Sequence, residues 1–223
     1  MRASSPILAW MLALASLAPC TALAGTPYGD SRHPPEPQAI PGAVQCAYYD
    51  VGGEGVAYHT VDKVNQGSGR LNPANGSYLN EFRKDEAIGT SYTKFHTIID
   101  NSPYDVVQPP ESQLYVGWTT PGEWFNITVN VREAGTYKVS LLYTSNRGGQ
   151  ISLDLAGKPL VPACDIISTW NAAETIPWRQ WHHWNKMIVA PALVLPKGVN
   201  VLTVHILTQG NMNLAYFDFR PTS

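Results

Sequence analysis

Trp178, Trp181 and Trp184 recur at intervals of three residues around the pair His182-His183 in the run PWRQWHHW. Trp178 follows Ile176-Pro177 in a loop, where binding residues concentrate, so its flat face is expected to stack on a ligand. Trp181 is expected to pack into the protein, as large aromatics usually do. Adjacent histidines on a strand point to opposite faces, which makes shared ligation of one metal ion by His182 and His183 unfavourable. Near the other end of the chain, Asn211 and Asn213 follow Gly210, and Gly-Asn is a common turn dipeptide. Hydrolysis of a glycoside needs two carboxylates flanking the bond. Glu54, Asp62, Asp85, Glu86 and Asp165 are available, but no spacing singles out a pair. Neither G-x-S-x-G nor H-E-x-x-H occurs.

The elements that must position these residues read as strands. Charged residues are 14% of the chain, with 18 Gly and 18 Pro, a composition of short strands and many turns. Phe125, Ile127, Val129 and Val131 alternate with polar residues, and so do Tyr137, Val139, Leu141 and Tyr143. With Glu133-Ala134-Gly135 between them they read as a hairpin. Further strands are expected at Ala43–Asp50, Gly55–His59, Ile88–Phe95, Gln150–Ala156, Met187–Leu195, Val199–Leu207 and Leu214–Phe219, separated by turn signals. The expected fold is all-β, a jelly-roll β-sandwich of two antiparallel sheets. From Thr60 to Pro110 the chain is rich in Asn, Gly, Ser and Pro. So long a loop section inside one domain is expected to wall a binding site.

Residues 1–24 read as a cleaved signal peptide: Arg2, the apolar run Ile7–Ala18, then Ala22-Leu23-Ala24. That run is too short to span a bilayer, so a secreted or periplasmic location with no membrane span is expected. Residues 25–41 (GTPYGDSRHPPEPQAIP) read as a Pro-rich linker, and 42–221 as the sandwich. The formal net charge of −2 and the lack of a basic cluster argue against nucleic acid as a partner. Without the leader and its Cys20, Cys46 and Cys164 remain. In an exported chain an even pair suggests a disulfide, the alternative being two buried thiols.

Five ordered blocks resemble the carbohydrate-binding modules of family 6 and their family 35 relatives. They are VQCAYYDVGGEGVAYH (44–59), YVGWTTPGEWFNITVNVREAGTYKV (115–139), PWRQWHHW (177–184), LPKGVNVLTV (195–204) and GNMNLAYFDF (210–219). The resemblance implies a galactose-binding-like jelly roll that binds a poly- or oligosaccharide without catalysis, with a separate polysaccharide-degrading enzyme as a further expected partner. The sugar would stack on loop aromatics while fixed polar groups meet its hydroxyls. By position Trp178 matches the family's stacking Trp, Asn213 its hydroxyl-binding Asn, and Glu54 a carboxylate used by some members. The second aromatic of the slot falls on Leu114; either Tyr115 enters through a register shift, or Tyr58 or Tyr92 replaces it. Family members often carry a structural calcium, but Ala47 stands where the family has a Glu, leaving Asp218 as the acidic ligand. A Cys46–Cys164 disulfide would take over that stapling role. Two other classes stay open: a secreted glycoside hydrolase or polysaccharide lyase using carboxylates of the 60–110 insertion, and a surface adhesion or assembly protein.

Overall fold

Alternating apolar side chains give each long strand one face to bury, and two sheets bury those faces against each other. The computed structural model describes residues 25–222; the expected signal peptide lies outside the described residues. One sheet holds β1 (Gln38–Ile40), β8 (Trp124–Val131), β13 (Gly198–Thr208), β10 (Gly149–Leu155) and β11 (Lys158–Ile166) in that order, with β3 (Tyr58–His59) also on β8. The other runs β12 (Asn185–Leu195), β9 (Gly135–Ser145), β14 (Met212–Pro221), β7 (Leu114–Val116) and β6 (Thr90–Tyr92), with β2 (Gly42–Gln45) also on β14. Pairing within both sheets is antiparallel except for β1 with β8. The fold is the expected all-β sandwich. Its core joins Ile127, Val129 and Val131 of β8 to Val139, Leu141 and Tyr143 of β9, all fully buried.

The expected hairpin is not one. Strands β8 and β9 lie in different sheets, and Glu133-Ala134-Gly135 arches from one to the other. Both strands carry an apolar face, and facing each other across the core buries both. Strand β9 is buried on its second face too, where Leu142 packs with Tyr115, Ala215 and Trp184. Strand β11 carries no clear signal in sequence because Pro159 and Pro162 interrupt it. It is an edge strand, paired only with β10, where proline is tolerated.

The segment 25–41, expected as a tether, is packed against the sandwich. Thr26 and Val51 exchange backbone hydrogen bonds at 2.9 and 2.8 Å, and β1 joins the first sheet. Tyr28 stacks on Tyr48 at 5.1 Å between centroids. The Asp30 carboxylate accepts from the hydroxyls of Tyr28 and Tyr78 and from the backbone N–H of Arg32 and His33. Hydrogen bonds and aromatic contacts hold this segment, so apolar periodicity does not reveal it.

The expected disulfide is also absent: Cys46 and Cys164 are both free. Cys46 begins a 3-10 turn (Cys46–Tyr48) after β2 and is fully buried in the core, whereas Cys164 lies half-buried on β11 of the opposite sheet.

The 60–110 section includes β6 and a small parallel pair, β4 (Ser68–Gly69) with β5 (Asn72–Pro73), while Thr97–Ile99 is a turn. Buried amides order it. Asn65 Oδ1 accepts from the backbone N–H of Gly67, Ser68 and Thr90, each at 3.0 Å, and its Nδ2 donates to Thr90 Oγ1 at 2.8 Å. Each interaction satisfies a buried polar group that would otherwise cost free energy.

Candidate functional site

A pocket of about 630 Å³ lies over the outer face of the second sheet, where β7 ends and β14 begins. Its floor comes from strands: Ser91 of β6, Tyr115 of β7 and Asn213 of β14, all buried. Its walls and rim come largely from the segments that connect the long strands. The 60–110 section supplies Leu71, Asn72, Lys94 and Ile99, and the remaining lining is Trp118, Trp178, Trp181, His182 and Asn211.

Trp178 and Trp181 ride on a 3-10 helix, Pro177–Trp181. Proline at its first position presets the helical φ and removes an N–H that would have no partner there. The Trp181 carbonyl accepts from Asn213 Nδ2 at 2.8 Å and from Thr144 Oγ1 at 2.6 Å, which clamps this helix to β14 and β9. Trp178 is 50% exposed, a free aromatic face at the rim. Trp181 is half-buried and lines the pocket, where sequence suggested core packing. Trp184 alone of the three is core, fully buried against Tyr115.

Trp118 forms a wall of the pocket. Two glycines make room for its indole: a Cβ at Gly67 would stand 2.6 Å from Trp118 Cζ3, and one at Gly89 would stand 3.0 Å from its Cε3. Gly117 serves Asn213 likewise, since a Cβ there would meet Asn213 Oδ1 at 2.6 Å.

Asp100, fully buried behind the lining, ties the two sides together. It accepts from Lys94 N at 2.8 Å, His182 Nδ1 at 2.9 Å and Trp184 Nε1 at 2.8 Å. Bonding of His182 Nδ1 to the carboxylate leaves its Nε2 as the free ring nitrogen. The neighbouring histidine diverges: His183 Nδ1 meets the Thr169 carbonyl at 3.1 Å and its Nε2 meets Glu174 Oε2 at 3.4 Å. The Lys94 ammonium sits 4.1 Å from the Tyr92 ring centroid and donates to Ser91 Oγ and the Tyr92 carbonyl. Burial lowers its pKa below the ordinary lysine value, while the negative charge of Asp100 acts the other way. Burial likewise pushes the Tyr115 phenol well above its ordinary range, so it stays neutral.

Of the residues marked in sequence, Trp178, Tyr115, Asn211 and Asn213 come together in this pocket, and Glu54, Tyr58 and Tyr92 are not among its lining. Glu54 is bonded to His59 and to the Thr60 N–H. Tyr58 is buried edge-on to Tyr49, its hydroxyl accepting from the Ala87 N–H. Tyr92 donates to Asn80 Oδ1 at 2.8 Å. The expected calcium ligand does not fit a cation: Asp218 pairs with Lys186 and with Arg220, each at 2.8 Å, and Ala47 offers no side-chain oxygen. Lys94, Asn72 and Trp118 are among the lining residues not singled out in sequence, and His182 is weighed there only as a metal ligand.

No family model matches the sequence, nor does any curated protein. Among solved structures the chain is similar in fold to carbohydrate-binding modules. A β-1,3-glucan binding family 6 module from Bacillus halodurans is 14% identical, with 83% of this chain and 99% of that one covered and a TM-score of 0.49. A family 6 module from Clostridium stercorarium, determined in complex with cellobiose, is 10% identical over 84% and 98%, with a TM-score of 0.46. A family 35 module from Clostridium thermocellum is 17% identical over 60% and 88%, with a TM-score of 0.42.

Proposed function

We propose that this chain is an exported, non-catalytic carbohydrate-binding protein that holds part of a poly- or oligosaccharide in the pocket of Trp178, Tyr115 and Asn213. The observation that carries the reading is the composition of that pocket. Trp118, Trp178, Trp181 and Tyr115 are combined there with the amides of Asn72, Asn211 and Asn213, in a volume of about 630 Å³. Aromatic surface matches the C–H faces of a pyranose, and amides offer both donors and acceptors to its hydroxyls. The site is concave, and its buried floor rests on strands, which favours binding by a preformed surface.

Such a binder keeps its polymer close to whatever acts on it, so a separate polysaccharide-degrading enzyme is the partner this reading implies. Affinity electrophoresis against a polysaccharide panel tests the proposal. Retention by at least one polymer is expected. Trp178→Ala should weaken it about tenfold through loss of the stacking face, with little change in thermal stability because Trp178 is half exposed. Retention unchanged by the substitution would move the site elsewhere.

A second reading rests on Asp100 and His182. A buried carboxylate holding Nδ1 of a histidine whose Nε2 is free is an arrangement suited to a general base. No carboxylate pair for glycoside hydrolysis lines the pocket. Release of unsaturated sugar from any polymer of the panel, lost in His182→Ala, would establish this lyase reading over the non-catalytic one.

A further inference from the structure

We propose that the pocket selects an acidic saccharide, a sugar carrying a carboxylate or sulfate group, and that the Lys94 ammonium is the group that recognises the anion. This inference rests on the carbohydrate-binding reading of the pocket and names the class of sugar it takes. Lys94 is half-buried and lines the cavity, yet no carboxylate of the described residues lies within ion-pair distance of its Nζ. Two of its three N–H donors are used, on Ser91 Oγ at 3.3 Å and the Tyr92 carbonyl at 3.2 Å. The third remains for a ligand.

None of the residues lining the cavity is Asp or Glu. The neighbouring negative charge, Asp100, is fully buried and already accepts from three donors. It therefore holds Lys94 and His182 in place from behind, and a ligand meets cationic and amide groups first. An ammonium taken partly out of water without a counter-ion is costly, and an anionic ligand removes that cost by supplying the missing partner. The Ser91 hydroxyl, which also accepts from Asn72 Nδ2 at 3.1 Å, braces the floor beside the ammonium. A neutral glucan would leave the charge uncompensated. The chain as a whole has a formal charge of −2, so attraction of an acidic polymer has to come from this local arrangement rather than from the overall field.

Isothermal titration of the full chain with matched pairs tests the inference. One pair is an oligogalacturonate and its carboxyl-reduced form; the other is a sulfated galactan oligosaccharide and its desulfated form. Neutral cello- and laminari-oligosaccharides serve as controls. The acidic member of at least one pair should bind about tenfold more tightly than its neutral counterpart, the size expected of one charge-assisted contact. Which pair shows the preference identifies the anion. Lys94→Gln should abolish that preference, so that both members of the pair bind the variant equally, and Lys94→Arg should retain it. Equal affinity for both members of each pair, or a preference that survives Lys94→Gln in a folded variant, would overturn the acidic selectivity and leave carbohydrate binding standing. No binding of any oligosaccharide, acidic or neutral, would overturn both.

Discussion

At the scale of single residues, the pocket depends on side chains that hold others in place. Asn213 is 7% exposed, and its Nδ2 is committed to the Trp181 carbonyl. It thus orients an aromatic of the pocket as well as lining it. Asn213→Ala should cost about 1 kcal/mol of stability through the lost buried hydrogen bond and also weaken saccharide binding. Urea denaturation and titration of the same sample separate the two effects. A variant with native stability and native affinity would show that Thr144 alone holds the helix. Trp178 is the converse case: at the rim its loss should affect binding and spare the fold. Gly67, Gly89 and Gly117 act through the space they leave, because side chains there would collide with Trp118 or Asn213.

At the scale of elements, two departures from sequence expectation carry measurable consequences. The N-terminal segment is a strap fixed by Asp30, whose carboxylate gathers four donors. Burial by itself would raise its pKa, but the hydrogen bonds from Tyr28, Tyr78, Arg32 and His33 outweigh that and hold it well below the ordinary carboxylate range. A depressed carboxyl stabilises the fold above its unfolded value and loses that contribution only as pH falls through the depressed one. Asp30→Ala should lower stability by about 2 kcal/mol at neutral pH, several hydrogen bonds being lost at once. Limited proteolysis should then release the segment before the sandwich. An intact segment in the variant would place its attachment in β1 alone. The second departure concerns the cysteines. With Cys46 sealed in the core and Cys164 on an edge strand, a thiol reagent should modify Cys164 in the native protein and Cys46 only after unfolding. Burial raises the pKa of both thiols, most of all that of Cys46, which slows reaction further. Failure of Cys46 to react in denaturant would reveal a disulfide after all.

At the scale of the whole molecule, stability should respond to pH through Asp105, a half-buried residue of the 60–110 section that bonds to Trp184 beside the second sheet. Its Oδ1 accepts from the Trp184 N–H at 2.9 Å and its Oδ2 has no partner. Burial pushes its pKa up to about 7, against the hydrogen bond from Trp184 and with help from the charge of Asp100. The folded chain therefore keeps a proton that the unfolded chain has released. Stability falls as pH rises from the unfolded value of 3.8 towards about 7, and is steady above it. Asp105→Asn removes the titration while keeping an oxygen for Trp184. Its stability relative to the parent should rise across that window, measured by denaturation at several pH values. A constant difference from acid to neutral pH would assign the response to another group.

The sandwich was legible because burial of a strand face imposes a period of two, and that period is written in residues such as Phe125 to Val131 and Tyr137 to Tyr143. The neighbours of each strand were not. Periodicity states which face is buried and is silent about the strand alongside, so β8 and β9 read as a hairpin although they lie in different sheets. Trp178 and Asn213, which line the pocket, could be singled out in sequence as candidate contact residues, being an aromatic and an amide in recognisable blocks. Lys94, His182, Asn72 and Trp118 could not. Their place in the pocket depends on Asp100 and on bare glycine backbone, contacts between segments far apart in the chain. Hydrogen bonds among buried polar groups leave no period in the sequence, and for that reason the ordered N-terminal strap and the pocket's cationic side came from the tertiary structure alone.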